Sequence, residues 1–187
     1  SLGQSPIKEI DGYIIVSEEG LCSTATNFKT GNTSVTLPLS DFGNYTGYLT
    51  GHNSLNSKAV SEFFKNTQGY LYVSGVEMDF GKIYSSNEAA TVTVTLWNAR
   101  GPQNAPGSVV EQKVILLQQI QDDIAAARST VFVFDRETPV FGRPFQIGVE
   151  LNYENGDTVA IKSSANGESN NATSWIQDKD GVWSPYS

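Results

Sequence analysis

Between positions 70 and 97, apolar and polar side chains take turns. Val76, Met78 and Phe80 fall on one side of an extended chain, and Glu77 and Asp79 on the other. Further on, Val92, Val94 and Leu96 alternate with Thr91, Thr93 and Thr95. A period of two with β-branched residues predicts half-buried antiparallel strands. The polar run Ser85-Ser86-Asn87-Glu88 carries turn chemistry, so the pattern predicts a hairpin with one dry face. A dry face requires a second sheet over it. Trp97 is in phase with the threonines and is expected to face outward.

The same patterning predicts strands at 13–16, 59–64, 109–117, 130–134, 145–151 and 158–162. Loops rich in Gly, Pro and Asn separate them, notably 98–107 and 163–171. Asp178-Lys179-Asp180-Gly181 reads as a terminal hairpin turn between Trp175 and Trp183. Trp175 and Trp183 are expected to pack on each other across it. One segment has a different period. Leu117, Ile120 and Ile124 recur at helical spacing, and Arg128 suits the negative end of a helix dipole. Many short strands at this density predict an all-β, antiparallel β-sandwich of jelly-roll type with one short helix. Residues 1–20 read as a linker or the end of a preceding domain, and residues 21–187 as the sandwich.

Charge narrows the partners. The chain has 187 residues with a formal net charge of −8. Its 12 basic residues form no run. Nucleic acid is therefore not an expected partner, because phosphate binding needs clustered Lys and Arg. No segment approaches the ~18 apolar residues of a membrane-spanning helix. The single cysteine, Cys22, allows no intrachain disulfide.

The search for catalytic chemistry returns little. There is no nucleophile elbow, zinc motif or phosphate-binding glycine loop. The single histidine, His52, lies far from Cys22 in the chain. Glu77 and Asp79 share a strand face about 6–7 Å apart, near the spacing used in glycoside hydrolysis. The run resembles the strand motif of a jelly-roll glycosidase family, but Lys82 occupies the position of the acid/base. No catalytic residues are assigned and the protein is read as a non-enzyme. Trp97, Tyr48 and His52 are the candidate ligand-binding residues. Asp178, Asp180 and Asp157 lie in oxygen-rich turns and are the candidate ligands of a structural calcium ion.

Several runs together resemble a known family. Cys22-Ser23-Thr24-Ala25-Thr26-Asn27-Phe28 is followed by Gly47-Tyr48-Leu49-Thr50-Gly51-His52-Asn53-Ser54-Leu55-Asn56 and by Val73-Ser74-Gly75-Val76-Glu77-Met78-Asp79-Phe80-Gly81. Val92-Thr93-Val94-Thr95-Leu96-Trp97-Asn98, the 145–151 strand and the Trp175/Gly181/Trp183 pattern complete the order. The chain is similar here to the jelly-roll domain of secreted Bacteroidetes-type surface proteins, which often follows a PKD (immunoglobulin-like) domain. The resemblance implies a secreted or surface-displayed adhesion module within a longer multidomain chain. The expected partner of such a module is a glycan or a host or extracellular matrix protein. A degenerate glycoside hydrolase and a purely structural spacer are the alternative readings.

Overall fold

A computed structural model describes residues 12–17, 48–50, 57–67, 69–152, 157–162 and 174–185. In chain order the elements are β1 (Gly12–Ser17), β2 (Tyr48–Thr50), β3 (Ala59–Phe64), β4 (Tyr72–Met78), β5 (Phe80–Tyr84) and β6 (Thr91–Asn98). Then come β7 (Val109–Leu116), α1 (Leu117–Ala125), β8 (Thr130–Pro139), β9 (Phe145–Glu150), β10 (Thr158–Lys162), β11 (Ser174–Gln177) and β12 (Trp183–Pro185). The fold is all-β and antiparallel, with one short helix, as the alternation predicts.

The strands form a six-stranded sheet, β12-β11-β3-β9-β6-β7, and two three-stranded sheets, β1-β4-β8 and β2-β10-β5. Every pairing is antiparallel. One hydrophobic core joins all three sheets. It takes Val60, Leu96, Ile147 and Val149 from the large sheet, Val73, Val76 and Phe132 from the second, and Phe80, Ile83 and Ile161 from the third.

The expected hairpin across 85–88 does not form. The pairing of β5 is with β10, through Ile83↔Val159, whereas β6 pairs with β9 and β7. The connection carries the chain from one sheet to another. Both dry faces are nevertheless real: Val76, Met78 and Phe80 are buried, as are Val92, Val94 and Leu96. They contribute to the same core from different sheets instead of lying side by side. Alternation reports which face is apolar; it does not report which strand is the neighbour.

The helix is shorter than the 117–128 periodicity suggests. Its apolar stripe is buried, with Leu117 and Ile120 fully inaccessible. It ends at Ala125, and Ala127 then turns to φ 56. The Arg128 guanidinium meets Asp123 at 2.6 Å, and the Thr130 hydroxyl donates to the other Asp123 oxygen at 2.8 Å. These bonds fix the helix exit against the start of β8.

Candidate binding groove

In β6, Thr93, Thr95 and Trp97 point away from the core, and the register aligns Trp97 with Gln146 of β9. Trp97 is on the outer face, as expected, yet it is only 4% exposed. The cover is Trp183, whose ring meets it edge-on at 5.2 Å and 80°. In the sheet order β11, β3 and β9 lie between those two strands. Neighbouring strands are about 4.8 Å apart, so the terminal hairpin must bend over the outer face for the rings to touch. The expected Trp175–Trp183 pair is corrected by the register, which sets Trp175 opposite Pro185 and Trp183 opposite Gln177.

Beside Trp97 lies a cavity of about 450 Å³, within the ~300–1,000 Å³ usual for small-ligand pockets. Two loops wall it. From the β6–β7 loop come Asn98, Arg100 and Asn104; from the β8–β9 loop come Val140, Phe141 and Arg143.

Each loop is built from its own backbone needs. In the first, the Asn98 side chain accepts from the Arg100 and Ser108 amides at 3.2 and 3.1 Å. This clamps the loop entrance to its exit. The loop is also tied to the sheet. Gln146, fully buried in β9, donates from Nε2 to the Asn104 carbonyl at 2.7 Å. Its Oε1 accepts from the Ser61 hydroxyl of β3 at 2.8 Å. A buried amide satisfied at both ends sets the height of the loop over the sheet.

In the second loop, the Val140, Phe141 and Gly142 amides donate to the Leu71 and Tyr70 carbonyls at 2.8 to 3.1 Å. Asn66 finishes the job, donating from Nδ2 to the Arg143 carbonyl at 3.0 Å. The result is a bulky aromatic residue, Phe141, held at φ 56 and 67% exposed. Of the five described non-glycine residues with positive φ, Gln103, Asn104 and Phe141 wall this cavity or adjoin it, and Asn66 clamps it. Such conformations cost of order 1–3 kcal/mol each and tend to gather at functional sites.

The other expected site residues are dispersed. Tyr48 lies in β2, in a different sheet, and His52 lies outside the described residues. Asp178 is used by the terminal turn, its Oδ1 accepting from the Asp180 and Val182 amides at 2.8 and 2.9 Å. Asp157 immediately precedes β10, a strand of another sheet; it is 2% exposed, and its Oδ1 accepts from the Ser86 amide at 2.6 Å. The fold does not bring Asp157 to Asp178 and Asp180. Among the described residues no group of three or more His, Cys, Asp or Glu side chains is placed to hold a metal ion. Asp79 accepts from the Ser129 hydroxyl at 2.5 Å, a tie between the β4–β5 junction and the start of β8.

Phe141, Arg143, Arg100 and Asn66 carry the groove and were not candidates from the sequence. The available signal was Phe141-Gly142-Arg143-Pro144, an aromatic and a cation inside a turn between two strands. Comparisons with protein families, curated proteins and solved structures find no match to this chain. No described helix is long and apolar enough to cross a membrane.

Proposed function

We propose that this chain is a noncatalytic binding module, secreted or surface-displayed, that takes a glycan in the Trp97–Phe141 groove. The observation that carries this reading is Phe141. Its exposed ring sits at the lip of a preformed cavity on a backbone that three amide bonds and the Asn66 clamp hold in place. An apolar ring in water gains nothing for the fold, whereas an aromatic lip beside amide and guanidinium donors suits a sugar. Sugars present an apolar C–H face and a rim of hydroxyls. The rigid loops reduce the ordering cost of binding.

The test is a glycan array probed with the purified chain, with calcium and with chelator, beside Phe141→Ala. A glycan bound by the wild type and lost in Phe141→Ala, with unchanged thermal unfolding, supports the groove as the site. An empty array, or binding that Phe141→Ala leaves intact, overturns it. Loss of binding on chelation alone would add an ion to the site.

A further inference from the structure

The groove differs in charge from the rest of the chain. Only four arginines occur, at 100, 128, 136 and 143, against 20 acidic residues. Two are consumed by the fold: Arg128 pairs with Asp123 at 2.6 Å and Arg136 with Glu111 at 3.1 Å. The other two, Arg100 and Arg143, form no ion pair among the described residues, and both line the groove. No described Asp or Glu lines it. In a chain of net charge −8, a cavity lined by two guanidinium groups and, among the described residues, by no carboxylate is a local reversal of sign.

We infer that the ligand of this groove is an acidic glycan, whose uronate carboxylate or sulfate is gripped by Arg100 and Arg143. This inference rests on the glycan-binding reading and specifies its chemistry. The planar guanidinium matches a carboxylate or sulfate with two parallel hydrogen bonds, a match that an ammonium lacks. Both arginines stand on fixed backbone. The Arg100 amide is held by Asn98 and the Arg143 carbonyl by Asn66. Their side chains remain exposed and free to close on an anion. Phe141 offers the apolar face for the sugar ring, and the Asn98 and Asn104 amides flank it. The net charge of −8 disfavours non-specific binding of acidic polymers and so favours a locally basic groove as their point of contact.

The decisive experiment is titration calorimetry of the whole chain with polygalacturonate (carboxylate), dextran sulfate (sulfate), neutral dextran and poly-glutamate. Arg100→Gln and Arg143→Gln are compared with Arg136→Gln, which changes net charge equally outside the groove. Binding of either acidic glycan, weakened about tenfold or more by each groove variant and unaffected by Arg136→Gln, is the expected result. Affinity should also fall as salt rises. Neutral dextran bound as well as the acidic glycans, and unaffected by Arg143→Gln, would overturn the acidic ligand and leave the glycan groove standing. Poly-glutamate bound in preference to both acidic glycans would overturn the glycan. No binding by any polymer would overturn both readings.

Discussion

Asn66 and Arg143 are joined by a hydrogen bond of 3.0 Å that spans the chain, from the Asn66 amide to the Arg143 carbonyl. The same 5%-exposed amide donates to the Tyr70 carbonyl at 2.9 Å, and its oxygen accepts from the Tyr70 amide at 2.9 Å. One side chain thus closes its own turn and pins a distant loop. Asn66 also stands at φ 58, a conformation that Asn tolerates better than most residues.

Replacing Asn66 with Ala removes all three bonds; the Tyr70 carbonyl keeps the Gly142 amide, whereas the Tyr70 amide and the Arg143 carbonyl lose this partner. The expected loss is about 3 kcal/mol, read from the urea midpoint at constant slope. Asn66→Gly loses the same bonds but adopts positive φ freely, so it should cost about 1 kcal/mol less than the Ala variant. Equal losses would show that the backbone conformation carries no strain.

Gln146 supports the opposite wall. Gln146→Leu keeps the volume roughly but orphans the Ser61 hydroxyl and the Asn104 carbonyl. A destabilisation of about 2–3 kcal/mol is expected. Ser61→Ala in the Gln146→Leu background should cost less than Ser61→Ala alone, because the hydroxyl it removes is already unpaired. A double-mutant cycle measures this coupling; additive losses would show that the two residues act independently.

Two glycines separate close approach from backbone conformation. A Cβ on Gly148 would lie 1.9 Å from the Val60 carbonyl oxygen and 2.6 Å from the Ser61 Cα. Both are backbone, so β3 and β9 must part. Gly148→Ala should cost about 3 kcal/mol or more, or prevent folding. Gly69 stands at φ 71 with nothing within 4 Å of a Cβ. Gly69→Ala should therefore cost only about 1 kcal/mol. Thermal unfolding of the pair checks the ordering.

Glu150 sets a pH dependence. Burial raises its pKa above the ordinary 4.5, and the Thr95 hydrogen bond opposes this only in part. A carboxyl whose folded pKa exceeds its unfolded one favours the fold while protonated. That contribution is complete below the unfolded pKa and is lost as pH rises through the folded value. Relative to Glu150→Gln, the wild type should lose stability as pH rises from the ordinary carboxyl value through the raised folded one. Urea unfolding of both proteins across that range tests it; a constant difference would show that Glu150 does not titrate anomalously.

The alternation of side chains by itself determined much of this protein. It gave the strand character of 59–64, of 109–117 and of 145–151, the last two ending one residue earlier in the fold, the helical stripe of Leu117 and Ile120, and the dry faces of β4, β5 and β6. These are local properties: a strand presents every second residue to one side, and a helix stripe recurs at 3.6 residues. Tertiary structure alone decided which strands pair, and so why β5 and β6 fall in different sheets rather than one hairpin. It also decided that Trp97, outward on its strand, is covered by Trp183. The groove was the least legible part. Arg100 and Arg143 sit in separate loops, and only the placement of β6, β9 and the end of β8 brings those loops to one cavity. Whether an arginine is free depends on where the acids fall in space, a property of the packed sheets that no spacing along the chain records.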